Sequence, residues 1–403
     1  MKLIHTSDWH LGRWLHGVDL LEYQSTYLDQ LVELARDVKP AAVLVSGDIY
    51  DRAVPPVGAV ELLRDALERL TEVTTVVITS GNHDSAARLG FGAALMRPEL
   101  RLVTRLDQVG QPVELPGPGG SGGALVYPIP YLDVFAAQEA WTAAGEPWAP
   151  GGELARSHEA VLSAAVRAIQ ADLSRRGLGG AGGSAGEGRP ATVVMAHAFV
   201  VGASPSDSER ELTVGGIGTV PASVFSRFDY AALGHIHRPQ EVRGGAGQVL
   251  NYPGSPLAFS FSEAGHVKST SVVTLGSGPP QLERIPAPVP RALAEVHGSL
   301  EQLESAAHDE FQSMWVSVTV TDTQFPQDMY RRVRHRFPHA LLIRHEPSGA
   351  PADPRGRVVT ARSDPVEVAA SFLEYAGGRA ASAAEIEEVR DALAALAVAG
   401  GSP

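Results

Sequence analysis

The stretch KLIHTSDWH (Lys2–His10) decides the reading of the fold. A short run, Lys2–Thr6, meets a polar cluster at Ser7-Asp8. The same design recurs at Ala42–Val45 before Ser46-Gly47-Asp48 and at Thr75–Thr79 before Ser80-Gly81-Asn82. It returns at Thr192–Met195 before Ala196-His197 and at Tyr230–Leu233 before Gly234-His235. Short apolar runs bounded by turn residues read as buried strands. Between the first three lie helical patterns. Tyr23–Asp37 spaces Tyr27, Leu28, Leu31 and Leu34 on one face, and Val57–Leu70 spaces Val60, Leu63, Leu67 and Leu70. The β-α-β-α-β alternation predicts an α/β domain.

Composition narrows the chemistry. The 403 residues hold 46 acids against 33 Lys plus Arg, 14 His and no Cys. At roughly 150 residues per domain, about two to three domains are expected. Without Cys there is no disulfide framework, thiolate zinc site, iron–sulfur cluster or Cys nucleophile. Any metal must be held by His, carboxylate or amide groups. A net charge of −13 argues against a self-sufficient nucleic-acid binder, while leaving room for a local basic channel or a DNA-binding partner. No stretch approaches the roughly 18 apolar residues of a membrane span. The N-terminal MKLIHTSDWH meets His5 and Asp8 too early for a signal peptide, so a cytoplasmic protein is expected.

Further along, Pro116–Gly123 and Gly177–Gly188 read as Gly-rich surface loops. Proline-rich Gly276–Arg291 reads as a domain linker. After it, strands are expected at Ala292–His297, Met314–Thr321 and Ala340–Arg344, with helices at Leu300–His308 and Gln327–Arg336. A loop at Glu346–Arg357 precedes two tail helices, Pro365–Tyr375 and Ala383–Leu396. Ser382 and Glu385 fit a capping box. The stripe Ile386, Val389, Leu393, Leu396 suits either packing on the chain's own body or docking to a partner.

The strand ends carry the chemistry. They deliver Asp8 and His10; Asp48 and Asp51; Asn82, His83 and Asp84; His197; and His235 with His237. Sites in open α/β sheets form at the carboxyl ends of strands. Two ions bridged by one carboxylate can clamp the attacking and leaving oxygens of a phosphoryl displacement and lower the pKa of water. One such segment alone is an ordinary turn or cap. Five of the same design, in order, predict a two-ion site. The other histidines, such as His308, His335 and His339, read as packing or surface residues.

The ordered set Asp8-x-His10, GDIYD (Gly47–Asp51), GNHD (Gly81–Asp84), His197 and GHIH (Gly234–His237) resembles the calcineurin-like metallophosphoesterases. HTSDWHLGR (His5–Arg13), VGASPSDSE (Val201–Glu209), ALGHIHRPQ (Ala232–Gln240) and YPGSPLAFSF (Tyr252–Phe261) are similar to the SbcD nucleases within that superfamily. The resemblance implies a β-sandwich flanked by helices in four layers, a small α+β capping domain and C-terminal helices. The implied divisions are 1–285 for the nuclease domain, 286–350 for a capping, DNA-recognition domain, and 351–403 for a linker and helices docking an ATPase partner. It implies one ion on Asp8, His10, Asp48 and His237 and a second on Asp48, Asn82, His197 and His235, both manganese. His83 would act on the scissile phosphate, and the Asp51 carboxylate would orient His83, unless Asp51 is a simple helix cap. Asp84 would cap the helix after GNHD, and Arg13 and Arg238 are candidates for phosphate or DNA contact.

The implied activity is ATP-dependent 3′→5′ exonuclease action on double-stranded DNA ends and endonuclease action on hairpins and cruciforms. ATP use falls to the SMC-like ATPase SbcC, since this chain has no GxxxxGK[ST] loop. The implied assembly is a nuclease homodimer inside a heterotetramer of two nuclease and two ATPase chains, nucleoid-associated in the cytoplasm. Val57–Leu70 and Ala86–Met96 would form the dimer surface. The alternative is a phosphoprotein phosphatase or small-molecule phosphodiesterase of the same superfamily. GDIYDR resembles the phosphatase form, but Ala53 stands where Gly is usual there, and GNHD ends in Asp84 rather than Glu. A non-enzymatic scaffold would be expected to lose ligands, and none is missing.

Overall fold

The computed structural model describes residues 1–117, 122–145, 155–178, 189–209, 218–244, 248–289 and 291–347, and in the tail 366, 368–370, 373, 382 and 384–390. Alternation along Lys2–Thr6 sends Leu3 and Ile4 to opposite faces, and the same rule fixes every neighbouring strand. One sheet runs Gln281–Pro286, Ser269–Thr274, Lys2–Thr6, Ala42–Ser46, Thr75–Thr79, Leu100–Val103, with Lys2–Thr6 through Leu100–Val103 parallel. The other runs Gln240–Arg243, Val249–Tyr252, Tyr230–Gly234, Ala191–His197, Gly123–Pro128, Val113–Pro116.

The two sheets bury one face against each other. Leu3, Ala42, Leu44 and Val77 meet Val126, Val193, Met195, Tyr230 and Ala232 between them. The opposite faces carry helices. Ile4, Val43, Val45, Val76 and Ile78 receive Tyr27, Leu28, Leu31, Ala59, Leu63 and Leu70 from Leu21–Val38 and Val57–Thr71. Tyr127, Val194, Ala231 and Leu233 receive Val161, Ala165 and Ile169 from His158–Arg175, with Trp141 from Val134–Ala144. Four layers result, as expected. Two-sided burial of the central strands, such as Ala42–Ser46, Ala191–His197 and Tyr230–Gly234, explains their near-continuous apolar sequences.

The segment Gly276–Arg291 differs from its reading as a linker. Gln281–Pro286 pairs antiparallel with Ser269–Thr274 as an edge strand. Prolines confined to its flanks and last position leave the ladder intact, as edge strands tolerate. The expected β-α-β-α-β unit follows, with Leu293–Gly298, Trp315–Val320 and Ala340–His345 parallel and in that order. Its core holds Val296, Leu300, Leu303, Val318, Met329, Val333 and Phe337. The stretch expected as one helix from Leu300 is an α-helix to Glu304 and a kinked 3-10 segment at Ala306–Ser313. Trp315 joins Leu15, Leu20, Leu257 and Phe259 of the sandwich.

Residues Asp322–Gln324 and Pro347–Pro403 form a separate compact unit, in which 366, 368–370, 373 and 384–390 are helical. Ser382 and Glu385 close the capping box reciprocally, Ser382 N donating to Glu385 Oε2 at 2.7 Å and Glu385 N to Ser382 Oγ at 3.4 Å. The middle of the first Gly-rich loop, nearly all of the second, and the end of the last tail helix lie outside the described residues. No helix among the described residues is long and apolar enough to cross a membrane.

Leu44 is fully buried between the sheets. Leu44→Ala should destabilise the chain by about 2–5 kcal/mol. Urea unfolding followed by tryptophan fluorescence measures this, and an unchanged midpoint would contradict the assigned inter-sheet core.

Candidate metal centre

Parallel pairing delivers the carboxyl ends of Lys2–Thr6, Ala42–Ser46 and Thr75–Thr79 to one rim, and those of Ala191–His197 and Tyr230–Gly234 meet them across the sandwich. At that rim the chain turns sharply. Asp8, His10, Asp48 and His235 have φ of 53°, 44°, 50° and 100°. Such conformations cost of order 1–3 kcal/mol each for non-glycine residues, so surrounding contacts must enforce them. They do: Asp8 N donates to Gly47 O at 3.1 Å, and His10 N to Asp48 O at 3.0 Å. Gln24, buried on the first helix, donates to the carbonyls of Trp9 and His10 and accepts from Gly12 N. Gly81 is required by close approach, because a Cβ there would overlap Asp48 Oδ1.

The side chains converge. Asp48 Oδ2 lies 3.5 Å from His10 Nε2 and 3.3 Å from His197 Nε2, while its Oδ1 accepts from His83 N at 2.8 Å. His10 Nε2 is 3.2 Å from His237 Nε2. Asn82 Oδ1 is 2.9 Å from His197 Nε2 and 3.3 Å from His235 Nδ1. Asp8 accepts from His235 N and from Ser7 Oγ. Ligand atoms of Asp8, His10 and His237, of Asp8, Asp48 and His197, and of His10, Asp48 and His83 each lie within 4.8 Å of one another.

Burial makes this charge cluster interdependent. Burial alone would neutralise Asp48, but the charge and hydrogen bond of His197 outweigh it and hold the carboxyl well below its usual range. Burial likewise opposes an imidazolium at His197, yet Asp48, Asp8 and the Ser46 carbonyl raise it to about 9. Burial, more than any neighbour, drives His10 and His235 far down, so the His10–Asp48 approach is not an ion pair. Burial raises Asp8, against the pull of His197 and His237.

These residues fit a divalent cation. His10 Nε2 and His237 Nε2 face each other at 3.2 Å, and Asn82 Oδ1 faces two imidazole nitrogens, so the pocket gathers lone-pair atoms. His197 Nδ1 faces the Ser46 carbonyl at 3.0 Å, which can only accept, so its Nε2 is the atom offered to the pocket. Imidazole, carboxylate and amide oxygen suit hard or borderline ions. Around the Asp48 carboxylate, His10 Nε2 meets His237 Nε2, and Asn82 Oδ1 meets His197 Nε2 and His235 Nδ1, with Asp8 grouped with His10 and His237 and also with Asp48 and His197.

Three expectations come out differently, those for Asp51, Arg13 and Asp84. The Asp51 carboxylate does not reach His83. The Asp51 main-chain carbonyl does, at 2.8 Å from His83 Nδ1, because the carboxylate is drawn to Arg13 at 3.0 Å. Arg13 is correspondingly committed: it binds Asp51 and the Ser208 carbonyl and lies over the Phe259 ring, 4.8 Å from its centroid. Arg238 is exposed beside His266 and Arg284. Asp84 does not cap the next helix; Ser85 does. Asp84 accepts from the backbone N–H groups of Ile49, Tyr50 and Gly81, stapling GDIYD to GNHD. Burial, then Asp48, pushes its carboxyl up to about 6 against those bonds.

Sequence reasoning missed a layer behind His237. Ser208 Oγ is 2.6 Å from His237 Nδ1, Glu209 Oε1 accepts from His237 N at 2.7 Å, and Lys268 Nζ donates to the His237 carbonyl at 2.9 Å. Glu263 pairs with both Ser208 and Lys268. Burial opposes its charge, but Lys268 and His237 hold the carboxyl far below its usual range. The one available signal was rarity, since Lys268 is one of only three lysines, with Lys2 and Lys39.

The family model described as calcineurin-like phosphoesterase matches residues 1–239. A second, SbcD_C, described as the type 5 capsule protein repressor C-terminal domain, matches residues 289–376. Among solved structures, a protein of Thermus thermophilus is similar at 16% identity and a TM-score of 0.39, over 70% of this chain and 98% of its own. A dimetal phosphatase from Danio rerio is similar at 12% identity and a TM-score of 0.41, over 72% and 99%.

Because His197 is held at about 9 without an ion, near neutrality it carries a proton that must leave as an ion binds. Manganese uptake should therefore release protons, and affinity should rise with pH up to about 9. Calorimetry in buffers of different ionisation enthalpy measures the release. Equal affinity at about pH 6.5 and about pH 8.5 would contradict the assigned electrostatics.

Proposed function

The chain belongs to the calcineurin-like phosphoesterases, is a metal-dependent phosphoester hydrolase and carries the SbcD C-terminal domain, and from that premise we propose that it is the nuclease subunit of a DNA-processing complex. The observation that carries the reading is the union of two features in one chain. A buried Asp48 lies within 3.5 Å of imidazoles from both sheets, and a three-stranded parallel unit with its own core follows the sandwich. The proposed reaction is phosphodiester hydrolysis at double-stranded DNA ends, in the 3′→5′ direction, and at hairpins.

Asp8, His10, Asp48 and His237 would hold one ion and Asp48, Asn82, His197 and His235 the other, both proposed to be manganese. Bound there, the ions supply positive charge facing the phosphoryl oxygens and a lowered pKa for water. The chain supplies the rest. His83 Nδ1 donates to the Asp51 carbonyl, so the ring turns Nε2 outward, the atom that would pass a proton to the departing oxygen from the doubly protonated ring. Hydrogen bonding of His83 N to Asp48 ties that residue's position to the shared carboxylate. Arg13, anchored by Asp51, acts through the wall of the pocket rather than as a free phosphate clamp. Arg238, being exposed, is free to approach a nucleic-acid backbone.

The chain's own field gives little help to DNA binding at −13. The helix Met329–Arg336 concentrates arginines, but Arg331, Arg332 and Arg336 are paired with Asp328, Glu304 and Asp309. A partner is therefore part of the proposal. The SMC-like ATPase SbcC would couple ATP to access and dock on the tail helices, in a heterotetramer of two chains of each kind. A nuclease homodimer is supported by an exposed apolar face: Val60, Phe91 and Met96, 44%, 84% and 39% exposed, line one groove. Such clustering marks interaction sites.

The test is manganese-dependent cleavage of blunt duplex DNA, with and without the ATPase and ATP, beside phosphopeptide and cyclic-nucleotide substrates. Duplex turnover is expected; turnover of the small substrates alone would refute the nuclease reading. Asp48→Asn should abolish cleavage and weaken both ions. His83→Gln should bind metal normally and lose about 10²–10⁴-fold in rate, the usual share of a general acid; unaltered cleavage would remove its assigned role. Deleting residues 365–403 should spare metal binding and abolish co-purification with the ATPase, and intact complex formation would contradict the docking assignment.

A further inference from the structure

One buried ionic cluster takes no part in the chemistry above. Glu263 and Lys268 are 1% and 3% exposed, directly behind His237. Burying two charges carries a desolvation penalty that attraction need not repay, so their placement calls for a local reason.

The donors and acceptors around them fix the protons: Ser206 Oγ, 3.0 Å from Ser208 Oγ, gives its own hydrogen to Glu209 Oε2 at 2.7 Å, and the charged Glu263 carboxylate is the stronger acceptor for that of Ser208. Lys268 Nζ has three hydrogens and three acceptors: Glu263 Oε2, Ser255 Oγ at 2.9 Å and the His237 carbonyl at 2.9 Å. The Glu263 carboxylate can only accept. Its Oε1 takes the hydroxyl hydrogen of Ser208, and also faces Phe259 N at 3.3 Å. Ser208 Oγ then has only lone pairs left for His237 Nδ1, at 2.6 Å. Nδ1 must therefore carry the ring hydrogen, and Nε2 is left bare. That bare nitrogen is the one beside His10 Nε2, at 3.2 Å. Glu263 Oε1 itself is 3.7 Å from His237 Nδ1, too far to do this directly.

We infer that Glu263, acting through Ser208 and braced by Lys268, is a positioning residue that fixes the tautomer of His237 and so sets the ion affinity of the Asp8–His10–His237 half-site. The inference rests on the two-ion reading above. The other half-site has its own orienting group, the Ser46 carbonyl on His197 Nδ1, and should not respond. Partners of this kind typically change metal affinity by about 10–100-fold.

Calorimetric titration of the full chain with Mn²⁺ alone tests it. The unmodified chain should take two ions. Ser208→Ala and Glu263→Gln should each keep one ion at unchanged affinity and weaken the other by about 10–100-fold. Ser208→Thr, which retains the hydroxyl, should restore it. Ser208 is only half-buried and lies outside the charge pair, so its variants decide the matter if Glu263→Gln does not fold. Two ions at unchanged affinity in Ser208→Ala would overturn the inference, and so would equal weakening of both. Failure of the unmodified chain to bind Mn²⁺ would instead refute the two-ion reading itself.

Discussion

Asp48 is a carboxylate withdrawn from water and placed within 3.5 Å of two imidazoles from opposite sheets. Much of the surrounding architecture follows from that placement. An unpaired buried charge is costly, so Asp48 requires His10, His197 and the His83 N–H together. Those partners come from three separate strand ends, and only a sandwich with parallel strands in both sheets brings them to one rim. The left-handed turns at Asp8, His10, Asp48 and His235 aim the groups inward, and Gln24 and Asp84 hold the turns by main-chain hydrogen bonds. Gly81 is glycine because Asp48 fills the space a side chain would need.

The two halves of the site are held by different means. His197 is oriented by Ser46, whose hydroxyl also bonds His5 and the Ala232 carbonyl between the sheets. His5, pushed by burial down to about 3, stays neutral there and links to Tyr230 at 2.7 Å. This half is built on the inter-sheet core. His237 instead depends on Ser208, Glu209, Glu263 and Lys268, which come from loops and one strand approach. Phe259 packs edge-on against both His10 and His237 and, on its other side, joins Leu257 and Trp315 of the three-stranded unit. His10 and His237 are thus linked through Phe259 to the core of the three-stranded unit.

The fold was legible because β-branched runs, each closed by a polar cluster, alternate with apolar helical stripes; Lys2–Thr6 and Val57–Leu70 could be read within a residue or two. The converging histidines and carboxylates were legible for the same reason, since spacing at strand ends is a local signal. What was hidden is non-local or main-chain. Sequence cannot say whether the Asp51 carbonyl or its carboxylate meets His83; the choice turns on Arg13, which is 38 positions away. Asp84 was read as a cap because an acid before a helix usually is one, whereas two of its three partners, Ile49 and Tyr50, lie in a loop distant in sequence. Glu263 and Lys268 sit in an aperiodic segment with no spacing to mark them. Gln281–Pro286 was concealed by flanking prolines, although an edge strand needs hydrogen bonds on one side only.

The central claim is that Asp48 is the shared ligand between two ions. Anomalous diffraction at the manganese edge, on crystals of this chain soaked in Mn²⁺, tests it most directly. The account predicts two peaks, one on each side of the Asp48 carboxylate, with His10 and His237 at one and His197 and His235 at the other. A single peak, or peaks that leave Asp48 uncoordinated, would contradict it.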